Sequence, residues 1–238
     1  MPILLSISVV PPILYMIWFR NSERYEREPW GSVWKMFLWG GVAGVILALI
    51  FEVFVQSLFS ESAFATVLGP ALFMSVIVAP LVEEFTKPLG LRFVRSQINE
   101  LEDGLIYGAA AGLGFAATEN IVYVLHSVAE GGFSAGIMTG VVRAVSSTLL
   151  HGSATAITGY GLSMVIVGKK SFGKVIGCFL AAALMHGVFN LTLELQMRYE
   201  FSALFALILV TLFTISTAFF VRNRIKRLDK DTGEERVS

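Results

Sequence analysis

The run Ala63-Phe-Ala-Thr-Val-Leu-Gly-Pro70-Ala-Leu-Phe-Met-Ser-Val-Ile-Val-Ala-Pro80-Leu-Val82 ends on two adjacent carboxylates, Glu83 and Glu84, followed by Phe85, Thr86, Lys87 and Pro88. As a helix rising 1.5 Å per residue, such a run crosses the roughly 30 Å of a bilayer's hydrocarbon core. An ionised carboxylate near that core costs about 2.5–3.5 kcal/mol even on lenient insertion scales. Two in succession point to chemistry in a water-containing site. Pro80 removes the hydrogen bond to the carbonyl of Val76, and Pro88 the bond to that of Glu84, so the helix is expected to kink or break beside its acids. Irregular backbone at membrane depth is tolerated only against protein or a water-filled cavity.

The rest of the chain agrees with a membrane setting. Of 238 residues, 55% are apolar, 19 are phenylalanine and only 15% are charged, with a mean hydropathy of +0.71. That is too little polar surface for a soluble domain, and it indicates an all-α, multi-pass helix bundle in the cell membrane, with the lipid bilayer as its main partner. The net charge is zero, which gives no pointer to nucleic acid. Cys178 stands alone, excluding an intramolecular disulfide framework or a cysteine zinc cluster. Apolar stretches near 2–19, 35–58, 63–86, 104–126, 136–168, 174–196 and 201–222 give an expectation of about seven transmembrane helices. The first lacks a basic start, contains Pro11 and Pro12 and has no small-residue cleavage site, so it reads as a retained helix.

Basic residues collect in alternate loops: Arg20, Arg24, Arg27 and Lys35; Lys87, Arg92 and Arg95; Lys169, Lys170 and Lys174; and the C-terminal group from Arg222 to Arg236. The positive-inside rule then puts the N-terminus outside and the C-terminus in the cytoplasm. We expect one transmembrane domain over 1–225 and a charged, disordered cytoplasmic tail over 226–238, its basic start against anionic headgroups.

Few polar residues fall inside the spans. Gly104, Gly108, Gly112 and Ala116 form a stripe at intervals of four that lets a second helix approach closely. Glu119 and Asn120 lie deep in that helix, Arg143, His151 and Thr155 in the next, and His186 and Asn190 one turn apart in the one after. Each has an ordinary explanation. A lone buried histidine is commonly a hydrogen-bonded packing residue, and Glu83 has a helical ion-pair partner in Lys87. Arg143, Glu52 and Glu194 fall toward outer helix ends, where structural ion pairs or interfacial exposure are expected, and His126 should be wetted. The convergence of Glu83, Glu84, Glu119, His151 and His186 favours chemistry over these explanations.

The segments Glu83-Glu84-Phe-Thr-Lys87, Asp103-Gly104-Leu-Ile-Tyr107-Gly108-Ala-Ala-Ala-Gly112-Leu-Gly114-Phe115-Ala-Ala-Thr-Glu119-Asn120, His151 and His186-Gly-Val-Phe-Asn190 resemble the PrsW family of intramembrane proteases. The match covers about half the chain. The wider superfamily includes type II CAAX prenyl endopeptidases, bacteriocin-processing proteins and a scaffolding subunit of gamma-secretase; in the CAAX group the equivalent of Glu119 is typically histidine and the acidic motif ends in arginine. The resemblance implies hydrolysis of a peptide bond in a membrane-associated protein, an anti-sigma factor in the PrsW case. Glu83 is then the general base, Glu84 orients a neighbour or pairs with a cation, His186 and Asn190 donate hydrogen bonds to the oxyanion, and Glu119 and His151 complete the cage. A zinc ion fits the types of His151, His186 and either Glu83 or Glu119, although the superfamily has been viewed both as metalloproteases and as metal-free glutamate proteases. A catalytically silent scaffold and a proton-coupled transporter are the competing readings; the latter predicts an inverted repeat of broken helices that the sequence does not display.

Overall fold

The computed structural model describes residues 1–59, 69–198 and 202–237, and the regular structure among them is helical. Helix α1 (Pro2–Arg20) carries Pro11 and Pro12 without interruption. Helix α2 (Trp30–Phe59) starts after the extended Pro29 and passes through a π-helical stretch, Trp39–Gly44. Helix α3 covers residues 70–93 in four pieces: Pro70–Phe73, π-helical Met74–Val78, α-helical Ala79–Thr86 and 3-10-helical Lys87–Phe93. The departures from α geometry flank Glu83 and Glu84 where Pro80 and Pro88 withdraw their N–H groups. Positions 63–68 of the expected span lie outside the described residues.

The helical stretch Leu101–Val145 is two helices, because Gly132 adopts φ 77° and ψ −175°, a backbone conformation open to glycine and strained for other residues. We call residues 101–131 α4 and residues 133–145 α5. The reversal lays α5 back along α4, with Gly136 against Val128 and Gly140 close to Val124 and to Ile7 of α1. A second break at Ser146 (φ −114°, ψ −84°) separates α5 from α6 (Ser147–Ile166). Helices α7 (Gly173–Arg198) and α8 (Ala203–Val237) complete the bundle.

Five helical stretches among the described residues are long and apolar enough to cross a membrane. One of them, Leu101–Ile166, is folded back on itself and holds both of the expected spans 104–126 and 136–168, and the described part of the expected span 63–86 is the broken helix α3. The tail expected to be disordered from Lys226 continues as helix, because Ile225, Leu228 and Asp229 are buried against the bundle.

Helix α4 is the spine. It is buried almost all round from Glu102 to Ala117, an environment its alanines and glycines permit. Gly104, Gly108 and Gly112 do what the stripe predicts: a Cβ on any of them would collide with the backbone of α6, at Gly159, Thr155 and His151 respectively. On the opposite flank, Gly40 of α2 packs on the Ala111 carbonyl with equally little room. Met16, Phe19, Met36, Phe37 and Ile225 close the core around it.

The Gly112 contact also sets the height of His151. Gly112→Val is expected to destabilise the protein by about 1–3 kcal/mol through overpacking and to lower activity by moving that histidine. Thermal unfolding in detergent, run beside a cleavage assay, checks both, and a variant with wild-type values in each would refute the close approach.

Candidate active site

Lys87 marks the centre of the polar cluster. Its ammonium is fully buried, 2.7 Å from Glu84 Oε1, 3.0 Å from Glu83 Oε2 and 2.8 Å from His151 Nδ1, and it lies 4.4 Å over the Phe115 ring. A lysine can occupy such a place only when anions and aromatic faces replace its water shell. The 3.0 Å contact to Glu83 is an ion pair without hydrogen-bond alignment, since Glu83 Oε2 has no aligned donor.

The two glutamates differ in what remains free. Glu84 is fully buried and saturated: Thr155 Oγ1 donates to Oε2 at 2.8 Å, and His186 Nδ1 lies 3.2 Å from Oε1 beside Lys87. Glu83 lines a cavity, with Oε2 3.7 Å from His151 Nδ1 and 4.0 Å from His186 Nδ1. The α-helical turn Ala79–Thr86 carries both side chains, and their angular separation of about 100° sends one inward and the other to the cavity.

Glu119 reaches the cluster from α4 through His151. Its Oε2 is 2.7 Å from His151 Nε2 and 2.9 Å from Arg143 Nη2. The imidazole of His151 therefore spans the offset in depth between Glu83, near the end of α3, and Glu119, well along α4. His186 meets it edge-on, with ring centroids 4.9 Å apart at 86°.

The cavity measures about 620 Å³ and is lined by Glu83, Glu119, His151, His186, Arg143 and Asn190, with apolar walls from Ala48, Leu49, Phe115 and Phe189. Asn190 Nδ2 donates to the Ser75 carbonyl at 2.7 Å, and a Cβ on Gly187 would come 2.7 Å from the Val76 carbonyl. Helix α7 thus docks on the π-helical turn of α3, and this docking sets His186 against Glu83.

Several residues stand differently from the sequence expectation. Arg143 is in an ion pair, but inside the site; the break at Ser146 brings it to Glu119, Asn120 Oδ1 and Ser147 Oγ. Glu52 and Glu194 line the cavity, and Glu194 accepts from Ser75 Oγ at 2.9 Å. Linear spacing held no sign of this, because both depend on how α2 and α7 lean on the loosened α3. His126 is exposed, 3.6 Å from Glu130, as a wetted residue should be.

Glu83, His151 and His186 are buried and offer one ligand atom each, all within 4.8 Å of one another. Two imidazoles and one carboxylate are the common donor set of a catalytic zinc site. Glu119 stands outside that trio, on the far nitrogen of His151, where a carboxylate orients a metal-binding imidazole. The residues fit a zinc ion by type, burial and proximity, provided that the Lys87 ammonium, 2.8 Å from His151 Nδ1, withdraws to the glutamates and leaves that nitrogen to the metal.

Comparison with known proteins agrees with this chemistry. The family described as PrsW family intramembrane metalloprotease matches residues 28–218. The chain is similar to Protease PrsW of Clostridioides difficile (29% identity, covering 87% of this chain and 86% of the relative). It is likewise similar to Protease PrsW of Geobacillus kaustophilus (29%, 83% of each) and of Bacillus subtilis (26%, 80% and 82%). No solved structure matches.

Proposed function

We propose, from the premise that the chain belongs to the PrsW family of intramembrane metalloproteases, that Glu83, His151 and His186 form its hydrolytic centre and hold a zinc ion. The observation that carries this reading is the trio itself, with three ligand-type side chains from three helices within 4.8 Å on the wall of a cavity. A zinc ion bound there lowers the pKa of a water molecule and polarises the scissile carbonyl.

The side chains supply the rest. Glu83 takes the proton of the attacking water and returns it to the leaving amine. Lys87 stands 3.0 Å from that carboxylate as its counter-charge, and Glu84, saturated by Lys87, Thr155 and His186, holds Lys87 in position. Glu119 holds the ring of His151, and Arg143 neutralises Glu119. Arg143 and Asn190 on the cavity wall are the donors available to a developing oxyanion, Asn190 once its bond to Ser75 is exchanged. The substrate is a membrane-associated protein, of the anti-sigma-factor class by resemblance. It presents an unwound segment, because a helix hides its carbonyls in its own hydrogen bonds.

Metal content by mass spectrometry, read beside cleavage of a single-span substrate, tests the proposal. About one zinc per chain is expected, lost in His151→Ala and His186→Ala, with activity removed by chelation and restored by zinc. Full activity after complete metal removal would leave a glutamate mechanism without zinc, and full activity in both histidine variants would remove the site. Glu119→Gln is expected to weaken zinc binding by about 10–100-fold, measured by chelator competition; unchanged affinity would mean that Glu119 does not orient His151.

A further inference from the structure

A second cluster of acids lies at the other end of α4, about 24 Å along the helix from Glu119 at 1.5 Å per residue. Glu23 and Glu28 come from the segment between α1 and α2, Glu102 and Asp103 from the first turn of α4, and Asp229 from α8. All five are buried, Glu23 completely. One carboxylate atom from each of Glu23, Glu102 and Asp229 lies within 4.8 Å of the other two, and Glu23, Glu28 and Asp103 form a second such trio.

Ordinary hydrogen bonding accounts for part of the cluster. Asp103 Oδ2 accepts from the N–H groups of Asn99 and Glu100 at 2.8 Å as half of a capping box. Asp229 accepts from the N–H groups of Arg24 and Tyr25, both at 3.0 Å, and Tyr107 donates its hydroxyl proton to Glu28. Glu23 Oε2 accepts from the Glu28 N–H at 2.9 Å. Glu23 Oε1 and Glu102 Oε1 are left over, buried and with no hydrogen-bond partner. The nearby Arg20 and Arg27 aim their Nε–H groups at the backbone carbonyls of Glu28 and Glu23. Burial, reinforced by the neighbouring carboxylates, pushes the Glu23 carboxyl up to about 8 and that of Glu28 up to about 9. Arg20, the cation that acts on both Glu23 and Glu28, does not offset this burial.

We propose that this cluster binds a hard divalent cation, Ca2+ or Mg2+, through Glu23, Glu102 and Asp229. The donors are oxygen throughout, which suits these ions and disfavours zinc. Two of the three carboxylates have an oxygen with nothing else to bind. The bound ion ties together segments 79 and 127 residues apart in sequence, the α1–α2 connection, the start of the spine helix and the end of α8.

The test uses the full chain in detergent after removal of divalent ions, with Tb3+ as a luminescent probe excited through the protein's aromatic residues. A saturable signal is expected, displaced by Ca2+ or Mg2+ and at least tenfold weaker in Glu102→Gln and Glu23→Gln. The unfolding temperature should rise with the displacing ion in wild type and not in those variants. His186→Ala, which removes a ligand from the zinc trio, should bind Tb3+ as wild type does. Absence of saturable binding, equal affinity in both glutamine variants, or loss of binding in His186→Ala would each overturn the proposal. So would a protein indifferent to divalent ions whose stability falls as pH rises from about 4.5 and levels off above about 8 to 9, the signature of carboxyls that are held protonated in the fold.

Discussion

Glu83→Gln is expected to lower the rate of substrate cleavage by about 10²–10⁴-fold, the usual contribution of a general base, with little change in stability. Glutamine keeps the shape, and the ammonium of Lys87 keeps its hydrogen bond to Glu84 at 2.7 Å, so no buried charge is stranded. What disappears is the one carboxylate of the pair that faces the cavity. The measurement is cleavage of a membrane substrate under single-turnover conditions, with the unfolding temperature recorded on the same preparation. A rate within threefold of wild type would move the base elsewhere, Glu119 being the other cavity-lining carboxylate in contact with a histidine. Zinc content is expected to fall together with the rate, because Glu83 belongs to the proposed zinc trio; zinc retained in full would leave Glu83 as a base alone.

Lys87→Met should have the opposite signature, a loss of stability ahead of any specific loss of chemistry. Removing one partner of a buried ion pair costs about 3–5 kcal/mol, because the other charge is left desolvated and uncompensated. Here Glu83 and Glu84 both lose their cation, and His151 loses its contact at Nδ1. Thermal or denaturant unfolding in detergent measures the effect. The double variant Glu84→Gln with Lys87→Met is expected to recover part of the loss, since the stranded carboxylate is then neutral. If Lys87→Met alone unfolds like wild type, Glu84 is not held as an anion by Lys87 and its supporting role falls.

Much of this site was legible in the chain. The adjacent acids were ranked by their place in the motif, and their separation of about 100° on a helix implied unlike surroundings; the structure encloses Glu84 with Lys87, Thr155 and His186 and puts Glu83 on the cavity wall. The small-residue stripe on α4 told of a close neighbour, and it is α6 that carries His151 into place. Arg143 is ion-paired, one of the two outcomes expected, but its partner Glu119 was out of view because helical spacing extrapolates only through unbroken helix, and Ser146 interrupts it. At the start of the tail the composition is charged, but Ile225, Leu228 and Asp229 share a face that the bundle covers.

The sequence by itself determined that this is a helical membrane protein, that its spans carry acids and histidines which hydrocarbon cannot accommodate singly, and that prolines loosen the backbone beside two of them. Those conclusions follow from solvation and from backbone hydrogen bonding, which act residue by residue. Only the tertiary structure decided which groups meet. His151 bridges Glu119 and Glu83, Lys87 sits among three partners, and Glu119 lies behind a histidine, outside the trio of Glu83, His151 and His186. Those relations depend on a reversal at Gly132, a break at Ser146 and the docking of α7 against a π-helical turn. Electrostatic partnership falls off over a few ångströms, and such distances between helices are set by packing, which no single stretch of sequence contains.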